Sequence, residues 1–124
     1  MTDLEHIGGE ATVERVITAF IDRVFDDMII GFMFIGKDKQ RIIRHEIEHA
    51  LQHLGGKTSY TGRSIPAVHR PLPISHGHFR RRIALLKVVL QENGIPPQVI
   101  ERWVEANQRL ESAVVQGGDC LLQD

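Results

Sequence analysis

At 124 residues and 42% hydrophobic content, the chain is sized for one domain with a modest core. A formal net charge of −1 and a pI near 6.6 supply no basic field for nucleic acid or anionic lipid. The longest apolar run, "MIIGFMFIG" at 28–36, is about half a membrane span, and the acidic start "MTDLEHIGGE" lacks the apolar stretch of a signal peptide, so a cytoplasmic protein with no membrane partner is expected.

The first periodic segment covers residues 10–26, just after Gly8 and Gly9. Val13, Val16, Ile17, Phe20, Ile21 and Val24 recur at i, i+3, i+4, i+7, i+8 and i+11, one face of a helix. A second helix is predicted over 39–54, packing through Ile43, Ile47, Ala50, Leu51 and Leu54 and stopped by Gly55 and Gly56. Its other side is chemically different: Ile42, Glu46, His49 and His53 form an adjacent stripe, with His45 at its outer border. This helix holds "HEIEH", the HExxH pattern of zinc peptidases, in which two histidines one turn apart bind zinc and the glutamate serves as base. Such a site needs a third ligand from elsewhere and a walled substrate cleft. The chain shows no strand signal, and the next histidine, His53, lies on the same helix.

Residues 57–74 have no helical period and are too long for an ordinary connection, which marks them as a functional segment. Within them "SIPAVHRPLP" permits only a short helix, capped by Ser64 and closed before Pro71, with His69 held near its end. A third long helix starts near His76 behind Ser75 as N-cap, buries Phe79, Ile83, Leu86, Val89 and Leu90, and ends at Asn93–Gly94. A fourth starts at Pro96–Pro97 and turns Val99, Ile100, Trp103, Ala106, Leu110, Ala113 and Val114 inward. Residues 116–124 read as a loose tail of the same domain. The run Arg80-Arg81-Arg82 spans a wide arc and reads as a solvated face; His76 and His78 read as solvated residues near the N-cap. Cys120 has no second cysteine to pair with.

The joint order of several stretches resembles the truncated haemoglobins, especially group I. They are "IGGEATVERVITAFIDRVFDD", "GFMF", "HALQHLGGKTSYTG", "YTGRSIPAVH", "LPISHGHF" and "ENGIPPQVIERWVEA". The resemblance covers nearly the whole chain and implies an all-α, two-over-two helical sandwich holding a haem. It puts His69 on the proximal iron ligand and Phe34 on the aromatic that packs against the haem face. Tyr60 and Arg63 fall where the family reaches the haem propionates, a role their chemistry suits; Arg41 and Lys39 lie near the same edge. Ile42, Glu46, Leu72 and Phe79 complete the implied cofactor contacts, with Ile21 and His49 in the distal pocket. His45 matches the position that supplies a second histidine to iron in cyanobacterial members, ten residues before Gly55. Bis-histidyl ligation needs two neutral imidazoles on opposite faces of the ring. The chain lacks the CxxCH motif, so the haem is expected to be b-type. Residues 104–124 hold no histidine, so no covalent link from that end is expected.

The sequence also departs from the family. Many members hold oxygen with a tyrosine and a glutamine where this chain has Ile21 and Glu46; isoleucine donates no hydrogen bond, and an ionised glutamate only accepts. The resemblance therefore points to a six-coordinate haem protein in redox or nitric oxide chemistry, as a nitric oxide dioxygenase or nitrogen-oxide reductase fed by an unidentified reductase. Its ligands would be O2, NO and CO, and it would be a monomer or weak dimer. The alternatives are an oxygen carrier or gas sensor with an open sixth site, the zinc peptidase, and a haem-free helical interaction module.

Overall fold

The computed structural model describes residues 1–55 and 75–111. Within them run a short helix α1 (Asp3–His6), a long α2 (Glu10–Asp26), a 3-10 turn (Gly31–Phe34), α3 (Lys39–Leu54), α4 (His76–Glu92) and α5 (Pro97–Gln108). None of these helices is long and apolar enough to cross a membrane. The short helix expected around Ser64–Arg70 and the tail from residue 112 lie outside the described residues.

Helix α2 sits at the centre because its apolar stripe is wide. Val13, Val16, Ile17, Phe20, Ile21 and Val24 are all buried, and α2 packs on both α3 and α4. Helix α4 buries Phe79, Ile83, Leu85, Leu86, Val89 and Leu90, and also packs against α5, whose Val99, Trp103 and Val104 close the core. Trp103 and Phe20 are the largest fully buried side chains.

The ends of the elements follow local chemistry. Ser75 caps α4 by accepting the His78 N–H at 3.1 Å. Pro97 occupies the first turn of α5, where no partner for its missing amide hydrogen is needed. Gly55 ends α3 in the left-handed conformation (φ 107°), and a Cβ there would meet the Thr2 side chain at 2.8 Å.

Helix α1 was absent from the periodicity. It is held by a capping box, in which Thr2 Oγ1 accepts the Glu5 N–H and Glu5 Oε1 accepts the Thr2 N–H, both at 3.1 Å. Arg102 on α5 donates to both carboxylate oxygens of Asp3, at 2.7 and 2.8 Å.

The apolar run after α2 becomes a tight corner. Ile30 and Met33 turn inward, whereas Met28, Ile29, Phe32 and Ile35 stay exposed. The corner is tied by Asp27, which accepts the backbone N–H groups of Ile29 and Ile30 at 3.0 Å. Asp27 also takes the Arg81 guanidinium of α4 at 2.6 Å. That hydrogen bond pulls the Asp27 carboxyl down to about 2 against the opposing effect of burial. Gly31 begins the 3-10 turn so close to α2 that a Cβ would stand 2.6 Å from the Phe25 carbonyl oxygen.

The expectation that Arg80-Arg81-Arg82 is solvated does not hold for Arg81 and Arg82. Arg81 pairs with the nearly buried Asp27, and Arg82 points inward with 15% of its side chain exposed. Phe79, Arg82 and Leu86 stand at i, i+3 and i+7, so Arg82 shares the apolar face of α4.

Candidate functional site

The site is built around the start and the second face of α3. Asp38 caps the helix by accepting the Arg41 N–H at 3.1 Å. Lys39 forms an ion pair with Asp22 on α2, and its ammonium lies 5.5 Å from the centre of the Phe25 ring. Phe25 in turn meets Phe34, centroid to centroid 5.1 Å, with the rings tilted by 32°. The aromatic at the corner is thus fixed by α2, and Phe34 is half-buried against the core. Arg41 is exposed, whereas Ile42 and His45 are half-buried on the first turns of α3.

One turn further on, the second face of α3 becomes polar and interior. Glu46 accepts from Arg82 Nη2 at 2.7 Å, with 16% of its side chain exposed. Arg82 Nη1 donates to Asn107 Oδ1 on α5 at 3.1 Å. The Arg82 guanidinium carbon lies 5.0 Å from the Phe20 ring centre on α2. Asn107 is buried and completes its own pairing by donating to the Trp103 carbonyl at 3.0 Å. One guanidinium therefore touches side chains from α2, α3 and α5 while standing on α4.

Beyond Glu46, the stripe continues as a ladder of rings. His49 and His53 lie 5.2 Å apart, and His53 meets Trp103 edge to face at 5.8 Å. Burial lowers the pKa of His49, and burial together with the neighbouring His49 lowers that of His53 to about 4. Both imidazoles are therefore neutral near pH 7. His53 Nε2 is shielded from solvent and has no hydrogen-bond partner among the described residues, a net cost to folding.

Ile42, His45, Glu46 and His49 stand on neighbouring positions of α3, Phe34 lies at the corner before it, and Ile21 and Phe79 are buried in the core at 2% and 3% exposure. The His49 ring meets that of His53. His69, Tyr60, Arg63 and Leu72 lie outside the described residues. Among the described residues no group of three or more His, Cys, Asp or Glu side chains is arranged to hold a metal ion. Sequence reasoning missed Arg82, Asn107 and the Trp103 end of the ladder. The signal for Arg82 was its place in the i, i+3, i+7 row with Phe79 and Leu86; that for Asn107 was its i+4 spacing from Trp103.

The profile of the bacterial-like globin family matches residues 2–116. The Group 1 truncated hemoglobin GlbN of Mycolicibacterium paratuberculosis is 27% identical over 113 residues, covering 91% of this chain and 83% of that protein. The protein of the same name from Synechocystis sp. is 29% identical over 100 residues, 77% of this chain and 81% of that one. The structure also superposes on the 2/2 hemoglobin of Synechococcus sp. PCC 7002, solved in the cyanomet state with covalently attached heme. The TM-score is 0.87 at 23% identity, over 94% of this chain and 99% of that one. That last likeness speaks to fold, and it assigns the helices described above to the two-over-two globin arrangement.

Proposed function

The chain belongs to the bacterial-like globin family, whose fold implies a haem, and from that premise we propose that it holds a b-type haem with iron ligated by His69 and His45. The observation that carries this reading is the half-buried His45 on the first turns of α3, next to half-buried Ile42 and following the Phe34 corner. An imidazole, an aliphatic side chain and an aromatic ring suit a flat apolar macrocycle with a metal at its centre. His45 is preferred to His49 because it stands ten residues before Gly55, the spacing the resemblance implies for the second ligand.

When bound, the haem supplies the redox and ligand-binding chemistry. His69 would anchor it from the proximal side, and Tyr60 and Arg63 would hold its propionates. His45 would hold the distal side, and its imidazole would compete there with any diatomic ligand. Ligation by both histidines would need little rearrangement between oxidation states, which would suit electron exchange. The function supported best is redox or nitrogen-oxide chemistry with reversible binding of O2, NO or CO, inside the cell and with a reductase as electron source.

The test is optical. Purified protein given haem is expected to show low-spin bands in both ferric and ferrous forms. His45→Ala should convert the ferrous form to high spin while leaving haem bound. Survival of the low-spin spectrum in that variant would remove His45 as the ligand, and a protein that takes up no haem would sink the reading altogether.

A further inference from the structure

Of the side chains the resemblance puts in the ligand pocket, Ile21 on α2 and Ile42 and Glu46 on α3 bring no hydrogen-bond donor. Ile21 and Ile42 are aliphatic, and an ionised Glu46 only accepts hydrogen bonds. A lone carboxylate there would repel anything carrying negative charge. The structure supplies the missing donor from α4, since Arg82 reaches Glu46 at 2.7 Å with only 15% of its side chain exposed. Its guanidinium is steadied on the opposite side by Asn107 at 3.1 Å and rests near the Phe20 ring. Its remaining N–H groups find no acceptor among the described residues. A guanidinium held in this way is always charged, pre-oriented and only partly neutralised by its partner.

We propose that Arg82, poised by Glu46, is the specificity-determining charge of the ligand pocket and makes it favour small anions over neutral diatomic gases. This rests on the haem reading above. Glu46 sets the strength of the effect by drawing the guanidinium to itself. Asn107 and Phe20 are positioning residues that keep the guanidinium from swinging away. The ligand class is a monovalent anion of two or three atoms, of the size and charge of azide or nitrite.

The test compares azide binding to ferric haem-loaded protein with CO binding to the ferrous form, in wild type, Arg82→Leu, Arg82→Lys and Glu46→Gln. Both ligands must displace the same imidazole, so their ratio largely isolates the charge effect. Arg82→Leu is expected to weaken azide by roughly tenfold or more, the loss typical of a charge-assisted hydrogen bond. Glu46→Gln is expected to tighten azide, Arg82→Lys to fall between wild type and Arg82→Leu, and CO to move less than azide throughout. Shifts of azide in the same direction for Arg82→Leu and Glu46→Gln, or CO following azide, would overturn the proposal and leave the pair a packing device. Should Arg82→Leu fail to fold, Glu46→Gln decides, because it must tighten azide relative to CO. Absence of a Soret band in the wild type, read before azide is added, fails the haem reading and this inference together. A normal Soret band with unsplit azide affinities fails this inference alone.

Discussion

Helices α2 and α3 have 17 and 16 residues and pack against each other, yet they fill their inward faces in opposite ways. Of the seven buried residues of α2 only Thr12 is polar, and the ionic contacts of α2 stay at the surface, as between Arg23 and Glu92. Helix α3 buries only Ile43, Ala50, Leu51 and Leu54, and turns a glutamate and two histidines towards α4 and α5. Burying such groups is expensive unless each is paired, and His53 is not fully paired. A helix that carries this cost beside an apolar neighbour is arranged for something other than stability. The contrast separates scaffold from site within one helix pair.

The largest effect should come from breaking the scaffold side. Phe20→Ala removes a side chain that is 1% exposed and lies under the Arg82 guanidinium. It should cost about 3–5 kcal/mol in chemical denaturation, the range for emptying an aromatic core position.

Acid sharpens the same contrast from the α3 side. Unfolded, His53 takes a proton near pH 6.5, whereas folded it does so only near 4. The unfolded state therefore binds more protons between these values. The His53 contribution is intact above about 6.5, is lost as pH falls towards 4, and levels off below. The total loss is roughly 3 kcal/mol at most. Denaturation midpoints measured from pH 7 to pH 4 should show this slope, and His53→Leu should flatten it. An unchanged slope in that variant would place the titration elsewhere.

The smallest effect should come from the surface of α2. Arg23 and Glu92 are joined at 2.7 Å but are 40% and 52% exposed. Arg23→Ala should therefore change stability by less than about 1 kcal/mol, and less again in high salt. If it proved as costly as Phe20→Ala, the division between an apolar scaffold and a polar site would be wrong.

The legibility of the sequence followed the length of its patterns. Helices α2 and α3 begin and end where apolar period and glycine stops predicted, because 16 or 17 residues carry several turns of periodic signal. The α4 cap at Ser75 was legible for a different reason, a single side chain satisfying a single exposed amide. Helix α1 and the 3-10 turn left no periodic signal, since four residues complete barely one turn, and a very short first helix was implied by the resemblance alone. The second face of α3 was visible as a stripe, but its partners were not: an arginine amid two others looks like solvated charge until a partner is known. Asp27 was hidden similarly, because its charged partner Arg81 is 54 residues away.

Gly31 separates two kinds of freedom at the aromatic corner. The backbone of the 3-10 turn rests directly on the last turn of α2, with the Phe25 carbonyl oxygen 2.6 Å from where a Cβ would be. Main chain seated on main chain holds the corner against α2, together with the Asp27 carboxylate and the inward Ile30 and Met33. Phe32 and Ile35, exposed on its outer side, can therefore be exchanged by drift or by an engineer without moving Phe34. At Gly31 itself there is no such latitude, because any side chain shifts the whole corner.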